Sequence, residues 1–278
     1  MGESAQIWRL LPYSAAKADD ELARGEALLT GMLTTGRPAV RWYGATQRAL
    51  VIGSGQRLGE VDSAALRQTG VNLHRRASGG TAVLFVPGLL MQDLALPPDH
   101  PLYRTDITSS YAWLGAAWVE VLTRLGLSAV ELVPVPTART DTLATDDRVR
   151  RACFGGRSPY EVIVGGRKLV GFSQIRRRAG ALFQVGLYST WPGEALTALL
   201  RLTDEERSAT SRALAARVVG LDELLPLVPE PALLMATFAD VLAQQHGVML
   251  EPVPWSDAEE AAAQSAAERY RPIDLGSF

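Results

Sequence analysis

Cys153 is the sole cysteine of a 278-residue chain, and it stands fifteen positions before Lys168, one of only two lysines; the other is Lys17. All remaining basic side chains are arginines, apart from three histidines. A guanidinium stays protonated at any accessible pH, whereas a desolvated lysine amine can give up its proton and act as a base or proton shuttle. A thiol beside such an amine becomes a thiolate, the form that attacks carbonyl carbon. A lone cysteine is more often a small buried hydrophobe, but the motifs around this one favour chemistry. Free cysteine titrates at ~8.5, so thiolate at neutral pH needs a nearby cation. Arg150, Arg151 and Lys168 are the cations at hand along the chain.

A second group of candidates is the run Arg75-Arg76-Ala77-Ser78-Gly79-Gly80-Thr81. Adjacent glycines let a backbone turn sharply and come close to a ligand, and exposed amides in such a loop can hold a carboxylate, carbonyl oxygen or phosphate. The two arginines add charge-assisted donors. Taken alone, Ser-Gly-Gly is more often a plain turn. The run is neither a phosphate-binding Walker loop nor a dinucleotide fingerprint, because the required Gly-Lys-Ser/Thr and Gly-x-Gly-x-x-Gly spacings are missing.

The elements that must carry these residues follow from pattern. Ala15 to Thr35 reads as a helix, ended by Gly36-Arg37-Pro38, and Tyr111 to Leu125 as a second with one apolar face. Ala39 to Tyr43 and Ala49 to Ile52 read as strands around a Gly44-Ala45-Thr46 turn. Val61 to Thr69 is a short helix, and Val71 to Arg76 a strand leading into the glycine run. Ala82 to Phe85 and Leu89 to Leu96 are strands, and Tyr160 to Val164 with Lys168 to Gln174 makes a hairpin over Gly165-Gly166, followed by a strand from Ala181 to Tyr188. Residues 134–156 lack periodicity and are expected to form a long mobile surface loop, with 139–151 ordering on substrate. Beyond 190 the chain turns helical, in Glu194 to Arg201, Asp204 to Ala216, Leu221 to Leu225, Ala232 to Gln245 and Asp257 to Arg269. The expected class is α+β, a mixed sheet flanked by helices.

Composition closes off other functions. One cysteine excludes an intrachain disulfide and a multi-cysteine metal site, and His74, His100 and His246 lack ligand spacing, so no metal is expected. A net charge of −2 gives no reason to expect nucleic acid or a membrane surface as partner. No long uncharged apolar run and no leader pattern over Met1 to Leu11 appear, so a cytoplasmic protein is expected.

Three segments together resemble the superfamily of lipoate–protein ligases, octanoyltransferases and biotin ligases. These are Arg75-Arg76-Ala77-Ser78-Gly79-Gly80-Thr81-Ala82-Val83, then Gly166-Arg167-Lys168-Leu169-Val170-Gly171-Phe172-Ser173-Gln174, then Arg217-Val218-Val219-Gly220-Leu221-Asp222-Glu223-Leu224-Leu225. The resemblance runs over most of Asp19 to Gly247. It implies a class II synthetase-like catalytic domain occupying 1–278, with a core over about 15–250 and a helical C-terminal tail. Cys153-Phe154 followed by Ser158-Pro159-Tyr160-Glu161 resembles the cysteine loop of the octanoyltransferases that serve the glycine-cleavage H protein.

That resemblance implies a mechanism. Cys153 takes an octanoyl or lipoyl group from an acyl carrier protein or an octanoylated lipoyl domain. It passes the group to a lysine of the H protein or of a 2-oxoacid dehydrogenase lipoyl domain. Lys168 moves protons and helps hold the carbonyl oxygen. Arg75, Arg76, Ser78, Gly79, Gly80, Thr81, Gly171, Ser173 and Gln174 bind substrate. No cofactor is required. The alternatives are an ATP- and Mg-dependent ligase acting through an acyl-adenylate on Lys168, or a degenerate member without catalysis. Thr81, where ligases usually carry glycine, and Phe85 and Val185, where many members carry histidine, count against the ligase, as do the mere thirty or so residues after Gly247. Arg176-Arg177-Arg178 matches the Arg-rich turn of a related amidotransferase branch, and suits either docking of an acidic partner or a solvated hairpin tip. Phe172 stands where a small residue is common and is expected to shorten or reshape the acyl tunnel.

Overall fold

The computed structural model describes residues 6–276. Five residues of the Met1 to Leu11 stretch read for a leader therefore lie outside the described residues. The strands are β1 (Gln6–Leu10), β2 (Ser14–Ala16), β3 (Ala39–Ala45), β4 (Ala49–Ile52), β5 (Asn72–Arg75), β6 (Val83–Phe85), β7 (Leu89–Leu96), β8 (Val130–Leu132), β9 (Val162–Val164), β10 (Arg167–Arg177), β11 (Gly180–Tyr188) and β12 (Val248–Pro252). The helices are α1 (Ala18–Thr35), α2 (Ser63–Thr69), α3 (Ala112–Arg124), α4 (Val135–Ala144), α5 (Asp147–Arg150), α6 (Gly193–Thr197), α7 (Asp204–Ala215), α8 (Pro231–His246) and α9 (Asp257–Ala267).

Successive strand residues face opposite sides of a sheet, and in β3 and β11 every residue is buried. A sheet with such strands must be covered on both faces, and it is. Val40, Trp42, Leu94 and Phe183 face α3 and α8, where Trp118, Val121 and Phe238 pack on them. Their neighbours Ala39, Ala95 and Leu182 face Leu28, Leu29 and Met32 of α1. The sheet order is β12-β1-β3-β7-β11-β10-β9-β8, with β2 beside β3. The β7-β11-β10-β9-β8 portion is antiparallel, while β1 runs parallel to both β12 and β3. A smaller sheet, β5-β4-β6, lies apart, yet Leu50, Leu73 and Leu84 from it share one core with Tyr43, Leu89 and Tyr188 of the larger sheet.

The mixed sheet flanked by helices is thus as expected, but two expectations change. β3 and β4 do not form a hairpin: β3 pairs with β7 and β4 with β5 and β6. Residues 134–156 are not a loop but carry α4, α5 and a 3-10 turn over Cys153–Gly155. Only Ala138 of α4 and Val149 of α5 face inward, so no apolar stripe reveals these helices. Polar anchors hold them instead, chiefly a double hydrogen bond from Arg217 Nη2 to both carboxylate oxygens of Asp141, at 2.6 Å each. The C-terminal residues carry the expected helix, preceded by a strand that the pattern did not show. β12 extends the sheet, and α9 lies on α1, with Glu259 in the notch left by Gly31. Among the described residues no helix is long and apolar enough to cross a membrane.

Candidate active site

The glycine run and the cysteine segment are stitched together. Cys153 N–H donates to the Ala82 carbonyl at 2.8 Å, Ala82 N–H to the Arg151 carbonyl at 3.0 Å, and Thr81 Oγ1 to the Arg150 carbonyl at 2.6 Å. The loop can come this close because Gly80 takes φ +85, a conformation glycine adopts without steric cost. A Cβ at Gly53 would overlap the Gly80 carbonyl, so a second glycine is needed behind the loop. A Cβ at Gly80 would lie 3.2 Å from the cysteine sulfur.

The cation at the thiol is Arg76. Its Nη2 lies 3.8 Å from Cys153 Sγ and donates to the Gly79 carbonyl at 2.7 Å. Nε donates to Ser78 Oγ at 3.0 Å and Nη1 to the Val51 carbonyl at 3.1 Å, so the guanidinium is buried and fixed. A permanent positive charge is thus held beside the sulfur. The cations expected from proximity in the chain go elsewhere: Arg150 bonds the Thr142 carbonyl and Asp147, and Arg151 the Arg201 carbonyl. Behind the sulfur, burial pushes the Tyr188 hydroxyl well above its usual range, and its electrostatic coupling to Cys153 adds to this. Tyr188 therefore remains a donor, to the Leu84 carbonyl at 2.9 Å.

Lys168 meets the cysteine from the other side, through the backbone. Its Nζ donates to the carbonyls of Cys153 and Gly156, both at 3.1 Å, and pairs with Glu161 Oε1 at 2.7 Å. Both side chains are at most 2% exposed. The β9–β10 register shifts just after Lys168, and the Lys168 backbone bonds Arg217 and Val219 on its other side, which explains the place of the third motif segment. Glu161 was not singled out as a site residue from the sequence. Its carboxylate also accepts from Ser158 N–H at 2.7 Å and Phe172 N–H at 3.1 Å, tying the cysteine loop to β10. It follows Tyr160, a non-glycine residue at φ +67, whose carbonyl fits against α3 only because position 115 is glycine. The available signal was a lone acid at the head of the apolar run Val162–Val164.

Cys153 opens onto two spaces. The inner one is a mainly apolar cavity of about 30 Å³, walled by Leu22, Val83, Phe85, Met91, Phe154 and Phe172. The outer one is an open cleft of about 470 Å³, bordered by Gly79, Gly80, Thr81, Arg150, Arg157 and Arg176. Cys153, Phe172 and Ser173 belong to both. Gly171 lies on the inner side, and a Cβ there would crowd Phe154 and Lys168. Gln174 borders the cleft and donates to the Ile107 carbonyl at 2.9 Å, holding the segment ahead of α3 in place. Arg176 bonds Gln174 and lies over the Tyr103 ring, while Arg177 and Arg178 border a separate groove along α1.

A hydrogen-bond chain leads away from the thiol. Ser78 joins Arg76 to Ser173, which reaches Gln184, which donates to Asp93, itself paired with Arg41. Arg41 also pairs with Glu21, whose carboxyl is pushed up by burial, with Arg41 opposing. Of the residues expected at the site, Arg75 stands apart: it donates to the carbonyls of Gly53, Ser54 and Gln56 and braces the turn behind the glycine run.

Residues 17–247 match the model of the lipoyl protein ligase A/B catalytic domain. The chain is 31% identical to octanoyltransferase LipM of Kyrpidia tusciae, covering 95% of this chain and 96% of that protein. It is 29% identical to octanoyltransferase LipM of Moorella thermoacetica, covering 97% of each. Among solved structures, lipoate-protein ligase A bound with ATP superposes with a TM-score of 0.75 at 20% identity, over 95% of each chain. The bi-partite lipoate protein ligase of Thermoplasma acidophilum, described with its E2 lipoyl domain, gives 0.76 at 19% identity, over 96% of this chain and 93% of that one. At such identities the structural likeness speaks for the fold alone.

Proposed function

This chain belongs to the lipoyl protein ligase A/B catalytic-domain family, and within it we propose a cysteine-dependent octanoyltransferase of protein lipoylation. The observation that carries this reading is the position of Cys153 Sγ, beside a fixed guanidinium and at the junction of an apolar cavity with an open cleft. An acyl thioester enters from the cleft with its tail directed inward. The Cys153 thiol gives up its proton and attacks the carbonyl carbon, the carbon–sulfur bond to the donor breaks, and the donor sulfur takes up a proton and leaves as a thiol. Gly79, Gly80 and Ser173 border the space in which the carbonyl oxygen gathers charge, where fixed donors act most strongly. The amine of a lysine on a lipoyl domain then attacks the Cys153 thioester, forming an amide and returning the thiol.

The acyl group arrives activated, so the reaction needs no nucleotide: thioester exchange is nearly balanced and amide formation from a thioester is downhill. Arg76 sets a fixed positive charge beside the sulfur, and Lys168 with Glu161 holds the loop that presents it. Octanoyl–acyl carrier protein or an octanoylated lipoyl domain serves as donor, and the similarity to proteins named octanoyltransferase supports the acyl chain chosen. The test is intact-protein mass spectrometry after mixing the chain with octanoyl–acyl carrier protein without ATP. A hydroxylamine-sensitive octanoyl adduct on Cys153, absent in Cys153→Ala, is expected. Transfer that survives Cys153→Ala and requires ATP would overturn the proposal in favour of an acyl-adenylate route.

A further inference from the structure

Resting on that reading, we infer that Phe172 sets the upper limit on acyl length, its ring standing as the wall between the inner cavity and the outer cleft. About 30 Å³ is room for roughly one water molecule. An eight-carbon chain cannot enter without moving a side chain. Most walls are fixed from behind. Leu22, Val83 and Phe85 belong to the core shared by the two sheets. Phe154 is gripped by Tyr188 and Trp191, at ring distances of 5.0 and 5.6 Å, with the Lys168 ammonium 5.1 Å from its centroid.

Phe172 differs. Of the three residues shared by the two spaces, it alone is bulky and apolar. Its backbone cannot shift, because its N–H is held by Glu161 and it pairs with Val185 across β10 and β11. Its ring leans on Tyr111 in a parallel stack, centroids 5.8 Å apart and 9° between planes, and Tyr111 itself borders the open cleft. The ring thus closes the inner cavity toward the cleft, with Tyr111 as its backing. Swinging it off Tyr111 is the motion that enlarges the cavity, and the volume so released bounds the chain that fits.

The test uses the full-length protein, with Phe172→Ala and Phe172→Leu, and acyl carrier protein loaded with butanoyl, octanoyl or dodecanoyl groups. The rate of Cys153 thioester formation is read by intact mass. The ratio of dodecanoyl to octanoyl rates within each variant is insensitive to the fraction folded. Phe172→Ala should raise that ratio by about tenfold or more, as expected when a pocket gains space for extra methylenes, and Phe172→Leu by less. An unchanged ratio in both variants, with thioester still forming, overturns the inference. If wild-type Cys153 takes no acyl group from any donor, that failure belongs to the proposed function. Maleimides bearing methyl to dodecyl chains, which need only the thiol and the cavity, then read the same limit. Longer chains should alkylate Phe172→Ala in preference to wild type, and identical length profiles overturn it.

Discussion

Arg9 and Glu259 meet through two hydrogen bonds, of 2.8 and 2.6 Å, between β1 and α9. Lys168 and Glu161 meet at 2.7 Å behind the cysteine. Both pairs are buried, so both pay a desolvation cost that geometry must offset. The first closes on itself. The planar fork of Arg9 matches the carboxylate, Ser256 satisfies Glu259 further, and the result is a latch that docks the last helix. The second reaches outward. An ammonium with three rotatable donors divides them between one carboxylate and the carbonyls of Cys153 and Gly156. All three donors sit on one compact atom in a site at most 2% exposed, where the larger planar guanidinium would overfill the space. In a chain where all but two of the 28 lysines and arginines are arginine, this is a physical reason for lysine at 168. A bidentate pair joins two elements, whereas a three-way clamp shapes a loop.

Conservative substitution should break this comparison most visibly at the clamp. Lys168→Arg keeps the charge and loses the three-way geometry. Octanoyl transfer should fall by about 10²-fold, the scale of a misplaced reacting group, with a thermal midpoint close to wild type. Equal transfer rates would mean that only charge matters at 168. The double change Lys168→Met with Glu161→Leu should restore much of the stability that either single change costs, about 3–5 kcal/mol, without restoring transfer. Urea unfolding and the acylation assay together read this.

At the latch the pattern should reverse. Arg9→Met leaves the Glu259 carboxylate buried without its main partner and should cost about 3–5 kcal/mol of stability, while the turnover of the folded fraction stays at the wild-type value. A parallel loss of turnover would show that α9 reaches the site.

The smallest expected effect is on pH dependence. Burial pushes the Glu259 carboxyl up, but hydrogen bonds from Arg9 and Ser256 outweigh this and hold it below the usual glutamate value of 4.5. Its contribution to stability is present above the unfolded value and is lost as pH falls through the lowered folded value. Glu21, raised chiefly by burial, has the opposite sign: its contribution is present below the unfolded value and is lost as pH rises through the raised one. Glu259→Gln should flatten the acid side of a stability–pH profile, and Glu21→Gln should flatten the fall on the other side. Profiles that change with the same sign would refute the assignment.

Much of the fold was legible because the long elements are amphipathic or doubly buried. α1, α3, β7, β11 and the β9–β10 hairpin carry periodicities that only one element type satisfies. α4 and α5 were hidden because polar anchors such as Arg217–Asp141 hold them rather than an apolar stripe. β1 and β12 were hidden because each is a short strand whose partner lies far away in the chain. At the site, Cys153, Arg76 and the glycine run were visible as residue types that chemistry needs, and Ser173 only through the motif resemblance. Glu161 was not, since a glutamate at a strand start is usually solvated.

From the sequence alone came the inventory: one thiol, one lysine after a double glycine, a glycine loop preceded by two arginines, and motif segments whose order matches a family. Local propensity and residue chemistry are properties of the chain itself, so they can be read along it. Which cation faces the thiol is not such a property. Arg76 is 77 residues from Cys153 and Lys168 only fifteen, yet the guanidinium lies beside the sulfur while the ammonium holds the backbone carbonyl. The pairing of Ala82 with Ala152 brings the glycine loop onto the cysteine, and the pairing of Lys168 with Ile163 on one side and Val218 on the other fixes the strand from which its amine reaches Glu161. Sequence spacing carries no side-chain direction; strand register and packing supply it.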